Sequence, residues 1–214
     1  MEKKKIYLIA IIVIIIAIIA VVAFTFFSGP SEVTPFDTKF MAGEFAGKPV
    51  LVSKDSNGTN SSEWTVFYQD KDSKIDYSLS SCKSFTYLED MYLYQGAQGP
   101  EKREFNGVQW RIYYAQGVSN DTGAANATYN MYLCVAEKDG QSYAVIVTAD
   151  ASSGIKADAS PDCDFFKEFL KPLLSSIEFK HNDDVIEPAE MFGFSQSEYD
   201  STMAQLTQVI KVRG

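Results

Sequence analysis

The chain has 214 residues, a formal charge of −9 and 46% hydrophobic residues. That length gives room for one well-packed domain rather than several. The acidic balance argues against nucleic acid or an anionic lipid surface as partner. With one histidine, His181, most histidine-dependent catalysis and zinc chemistry falls away.

The N-terminus reads MEKKKIYLIAIIVIIIAIIAVVAFTFFSGP. No charge interrupts Ile6 to Phe27, and such a run is long enough to cross about 30 Å of hydrocarbon as a helix. A cleavable leader has a shorter apolar core and a small-x-small site, which AFTFFSGP does not supply. Lys3, Lys4 and Lys5 precede the run and predict a cytoplasmic N-terminus. The expected layout is a cytoplasmic tail at 1–5, a transmembrane anchor at 6–27 and a linker at 28–37. An α+β extracytoplasmic domain follows at 38–180, then an acidic connector and C-terminal helix at 181–214. The expected location is therefore the cell membrane, single-pass, with the bulk of the chain outside.

On that topology four N-x-[ST] sequons become glycosylation candidates: Asn57, Asn60, Asn120 and Asn126. All four sit in polar stretches, as surface acceptors should. Chance occurrence in Asn/Ser/Thr-rich loops is the competing account.

Alternation predicts strands through most of the exported part. After a strand near KPVLV, WTVFYQ puts Trp64, Val66 and Tyr68 on one face, and KIDYSLS puts Ile75, Tyr77 and Leu79 on one face. SFTYLEDMYLYQG predicts a helix with Phe85, Leu88 and Tyr92 together and Gly96 as its stop. Asn106-Gly107 and Asp139-Gly140 are two-residue hairpin signals, the second joining strands near 129–137 and 142–149. SPDCDFFKEFLKPLLSSIEF predicts an amphipathic helix with Ser160 as N-cap and Pro161 at N1. Pro172 should bend it, because it offers no donor to the Glu168 carbonyl. SSIEFK suits an edge strand. Ser195-Gln196-Ser197-Glu198 is a capping box, followed by Tyr199, Met203, Leu206 and Ile210 as one apolar seam. The expected fold is α+β: an N-terminal transmembrane helix, an antiparallel β-meander with one wet face, one or two amphipathic helices packed on it, and a C-terminal helix.

Three cysteines, Cys82, Cys134 and Cys163, are an odd count. Either all stay reduced or one disulfide forms, and Cys82 with Cys163 is the preferred pair because both lie near element ends. His181, in the acidic FKHNDDVIE, reads as a solvated linker histidine. DSNGTNSSEW and DKDSKID miss the calcium-loop frame, and GEFAG lacks the Lys-Ser/Thr of a phosphate loop. No cofactor or metal is expected. Tyr92, Tyr94, Tyr113, Tyr114, Tyr132 and Tyr143 could line a sugar-binding face, although sheet packing explains them more simply.

The apolar N-terminal run, KFMAGEF, FNGVQWRIYY, FFKEFLKPLLSSIEF and EMFGFSQSEYD together resemble uncharacterised single-pass envelope proteins of methanogenic archaea. The element order of residues 38–180 is similar to the PsbP/Mog1-like fold. Neither resemblance implies a reaction. The expected function is a membrane-anchored, non-catalytic domain that contacts an envelope protein or cell-wall polymer; the C-terminal helix seam is expected to dock on its own domain, with self-association or a partner helix as the alternative. The alternative is a surface hydrolase with an unrecognised site.

Overall fold

In the computed structural model, residues 32–54, 64–119, 127–150 and 159–213 are described. Ten strands dominate them and form two antiparallel sheets. β1 (Val33–Asp37), β2 (Met41–Ala46) and β10 (Glu178–Phe179) make a small sheet in the order β1-β2-β10. The large sheet has seven strands: β3 (Val50–Lys54), β4 (Thr65–Asp70), β5 (Ile75–Cys82), β6 (Gln98–Phe105), β7 (Val108–Ser119), β8 (Ala127–Lys138) and β9 (Gln141–Asp150). Their order is β3-β4-β5-β9-β8-β7-β6.

The helices are few. α1 spans Thr86–Tyr94. A helical stretch from Asp164 contains a π-turn at Phe166–Leu170 and continues as α2 (Lys171–Ser176). α3 is a single turn, Pro188–Met191, and α4 runs from Gln196 to Arg213.

This corrects the expected α+β meander. The chain is mostly antiparallel β in two sheets, because VTPFD and MAGEFA form a hairpin where a linker and a domain start were expected. β10 then closes that hairpin from far along the sequence. The expected N-terminal transmembrane helix is also corrected. Its stretch, 6–27, lies outside the described residues, and among those no helix is long and apolar enough to cross a membrane. α4, with 18 residues, carries Glu198, Asp200 and Lys211, which hydrocarbon would not tolerate. Single-pass topology and cell-membrane localisation lose their support with it.

Register explains the packing. One face of the large sheet presents Tyr77, Val147 and Tyr132 in one row, and Leu79, Val145, Cys134 and Ile112 in the next. All seven are at most 1% exposed. The small sheet lies on this face through Phe45, whose ring centroid is 4.7 Å from Tyr77 and 4.9 Å from Tyr68. Phe179 of β10 stacks on Tyr143 at 4.1 Å. Phe40, Met41 and Phe45 are all 0% exposed, and burial of each contributes about 1.5–3 kcal/mol. Phe165 and Phe166 cover Tyr132 on the same face, both at 5.8 Å.

The helix that carries them starts later than expected. Asp164 is its first helical residue, and the Phe166 N–H points at Cys163 Sγ, 3.3 Å away. Cys163 therefore does the work expected of Ser160. A π-turn precedes Pro172: the Lys171 N–H donates to the Phe166 carbonyl, one residue further back than in an α-helix.

The opposite face was expected to be wet. Over β7 it is covered by α1, which buries Tyr92, with Phe85 buried just before it, and the helix is followed by Gly96 with φ of +96°. α4 packs on the outer side of α1. Tyr87 of α1 meets Tyr199 of α4 at 5.9 Å and Phe192 at 4.8 Å. The α4 seam thus lies on its own domain, with Leu206 only 8% exposed. The capping box is formed: Glu198 Oε2 accepts the Ser195 N–H at 2.9 Å, and the Glu198 N–H donates to Ser195 Oγ at 3.4 Å.

Candidate functional site

A nine-residue helix is roughly 13 Å long, whereas seven strands span roughly 29 Å. α1 cannot cover the whole sheet, and the uncovered part is a cleft. One cross-strand row traces the change: Tyr113, Leu133, Ile146, Ser78 and Phe67 lie side by side from β7 to β4. Tyr113, which donates to Glu89 of α1, and Leu133 are buried, whereas Phe67 is 36% exposed.

The cleft holds about 690 Å³, within the range of about 300–1,000 Å³ usual for ligand sites. Its floor is the sheet: Phe67, Ser78, Ser80, Ile146 and Thr148. Its far wall is Phe85, just before α1, and Leu88 of α1, with Met191 and Phe192, and its near rim is Val52 and Ser53 of β3. The described lining contains one carboxylate, Asp76, whose Oδ1 accepts a hydrogen bond from Gln69 Nε2 at 2.8 Å. No histidine, lysine or second carboxylate shares that lining. A Ser–Lys pair or two facing carboxylates is therefore not assembled among its described residues. The walls can exclude water around an apolar group, and the short hydroxyls can orient it.

A buried polar cluster fixes the wall. Glu89 of α1 is 7% exposed; its Oε1 lies 2.6 Å from Arg111 Nε and 2.9 Å from the Tyr113 hydroxyl. Arg111 Nη2 also reaches Glu137 Oε1 at 2.9 Å. The hydrogen bond to Glu89, with the nearby acidic charges, holds the guanidinium protonated more strongly than usual, against the opposing effect of burial. Burial and the Glu89 charge push the Tyr113 phenol well above its ordinary range.

The residues singled out by sequence fall elsewhere. Asn57, Asn60, Asn120 and Asn126 lie outside the described residues. All three cysteines are unbridged in this structure, which matches the reduced alternative rather than the Cys82–Cys163 bridge. Cys82 Sγ lies 3.3 Å from the Ile186 carbonyl, whereas Cys163 Sγ lies 3.1 Å from the Tyr132 hydroxyl. Each thiol is engaged with a different element. Burial raises the Cys82 thiol to about 11. His181 stands exposed in the connector with Nε2 3.2 Å from Asp183 Oδ1. Among the described residues, no group of three His, Cys, Asp or Glu side chains is placed to hold a metal. Of the tyrosines, Tyr92, Tyr113, Tyr132 and Tyr143 are buried, and Tyr94 is 41% exposed. They do not make one open aromatic face.

Sequence named Tyr68, Tyr77, Phe85 and Leu88 of the lining only as packing positions, and it did not single out the floor residues. Their one local signal is an apolar residue on the polar side of an alternating strand: Phe67 between Val66 and Tyr68, and Ile146 between Val145 and Val147.

No family model and no curated protein matches the chain. A solved structure from Bacteroides thetaiotaomicron is similar over 70% of this chain and 49% of its own, with 9% identity and a TM-score of 0.46. The chain thus spans about half the length of that structure. None of these comparisons bears on the resemblances drawn from sequence.

Proposed function

We propose that the chain is a non-catalytic binding domain whose cleft takes an apolar group of a partner. The observation that carries this is the cleft itself: about 690 Å³ walled by Phe67, Leu88, Ile146, Met191 and Phe192, with Asp76 as the one carboxylate of the described lining. Of the two partner classes expected from sequence, this lining favours a protein over a cell-wall polymer. A sugar ring would gain most from an exposed aromatic platform with long polar side chains beside it. Here the polar lining is mainly the short hydroxyls of Ser53, Thr65, Ser78 and Ser80.

The test is saturable binding of a neutral, environment-sensitive naphthalene dye to the full chain. Ile146→Lys puts an ammonium on the cleft floor without emptying a core position, since Ile146 is only half-buried. The expected result is one dye site, weakened at least tenfold in Ile146→Lys with unchanged circular dichroism. No saturable binding to the wild type, or equal binding to both proteins, would overturn the reading.

A further inference from the structure

We propose that the outer edge of β3 receives an extended segment of another polypeptide as an added strand, with alternate side chains of that segment entering the cleft. This rests on the binding reading above and names the occupant.

The two ends of the large sheet are built differently. β6, at one end, reads QGPEKREF. A proline and a run of charges are the usual means by which an edge strand is kept from pairing. β3, at the other end, exposes Val50, Leu51 and Val52 at 56%, 49% and 59%. Among the described residues no strand pairs with its outer side. An apolar edge of this kind is a template for pairing unless it is covered.

The edge is continuous with the cleft. Val52 and Ser53 belong to β3 and also form the cleft rim. The register breaks between Leu51 and Ser53, and such a bulge sharpens the local twist. An added strand would send every second side chain to the cleft side of the sheet. Its main chain would satisfy the open amides and carbonyls of β3, and its apolar side chains would extend the row that Phe67 and Ile146 begin. This is recognition by strand addition.

A second copy of the chain fits this edge less well. β3 has five residues, and pairing it with its own copy falls far short of the roughly 20–30 residues a side of a stable interface. Two copies, each at −9, would also repel. A segment that fills the cleft as well as the edge buries more surface. The acidic chain and Asp76 at the cleft favour an occupant with basic ends. The partner segment is therefore extended, apolar or β-branched at alternate positions, and flanked by lysine or arginine.

The probe is a synthetic peptide of alternating valine and threonine with a lysine at each end. Two further versions carry backbone N-methyl groups on alternate amides, one on the odd set and one on the even set. Only alternate residues of an added antiparallel strand bond to their neighbour. The parent peptide should bind the full chain and slow amide exchange at Val50–Lys54 at least tenfold. One methylated peptide should keep its affinity and the other should lose at least tenfold. Equal behaviour of the two methylated peptides, or binding with no protection of β3, overturns strand addition. Protection that rises with protein concentration without peptide would assign the edge to a second copy, and also overturns it. If the peptide fails while the naphthalene dye still binds and Ile146→Lys still blocks it, the cleft reading stands and the strand reading falls. If neither probe binds, both fall.

Discussion

Arg111 grips Glu89 with two nitrogens, Nε on Oε1 at 2.6 Å and Nη2 on Oε2 at 3.2 Å, and so ties α1 to the face of β7. Removing one partner of such a pair strands the other charge under the helix. Arg111→Met should cost about 3 kcal/mol, although Tyr113 still donates to the carboxylate. The double variant Arg111→Met with Glu89→Leu should recover a large part of that loss, since no buried unpaired charge remains and Glu137, which Arg111 also meets, is exposed to water. Urea unfolding of the three proteins checks this. A double variant no more stable than Arg111→Met would show that the pair supplies net stability beyond charge neutralisation.

Asp70 is 2% exposed and gathers the main-chain N–H groups of Lys48, Asp72 and Ser73, each at 3.0 Å. Burial alone would raise its pKa, but the donors from Ser73, Lys48 and Asp72 outweigh it, and the net shift is below the ordinary 3.8. A carboxylate lowered on folding adds stability above its unfolded pKa and loses it as pH falls through the folded value. Asp70→Asn should therefore be destabilised most at neutral pH, and the gap to wild type should close in acid. A gap that stays constant from neutral pH down through the carboxylate range would refute the assignment.

Gly47 shares this turn with φ of +96°, and a Cβ there would lie 2.5 Å from Asp70 Oδ2. Gly47→Ala should cost at least about 1–2 kcal/mol from the left-handed backbone alone, read from thermal unfolding. A cost below about half that would mean that the turn relaxes freely.

Tyr77 is 1% exposed, and its hydroxyl has no hydrogen-bond partner among the described residues. Burial, with the charge of Asp70, drives its ionisation far above the usual range. Tyr77→Phe removes a buried polar atom and keeps the ring against Phe45. The expected change is a gain of about 1 kcal/mol by denaturant titration. A clear loss would reveal that the hydroxyl is satisfied after all.

Ser195→Ala removes the oxygen that caps α4 and should weaken that helix by about 1 kcal/mol. Amide exchange over residues 196–206 should quicken, while β8 and β9 exchange as before. Equal acceleration everywhere would mean that α4 opens only when the whole domain does.

Local chemistry made part of this fold legible. Asn106-Gly107 and Asp139-Gly140 take φ of +50°, +74°, +53° and +77°, the left-handed pair that a two-residue hairpin demands. The capping box and the stop at Gly96 are equally local. Of the small sheet only its edge strand β10, in SSIEFK, was legible. β1 contains Pro35, β2 lacks clean alternation, and β10 reaches β2 by pairing Glu178 with Ala42. The cleft was hidden for a similar reason: it exists because α1 is shorter than the sheet is wide, a fact about placement rather than pattern. The cysteines show the limit of spacing: an odd count left reduced and bridged states open, and only placement sets Cys82 beside Ile186 and Cys163 beside Tyr132.

The π-turn before Pro172 makes the helix from Asp164 to Ser176 two half-helices in different phase. One extra residue in a turn rotates everything after it by about 100°. Phe165 and Phe166 thereby address Tyr132 of the large sheet, while Ser176, at the far end, meets Glu44 of the small one. One rod thus touches both sheets, reaching β6 of the large one and β2 of the small one. Deleting a single residue from 166–170 would leave a more regular helix and a worse protein, because one half would then turn its apolar side to water.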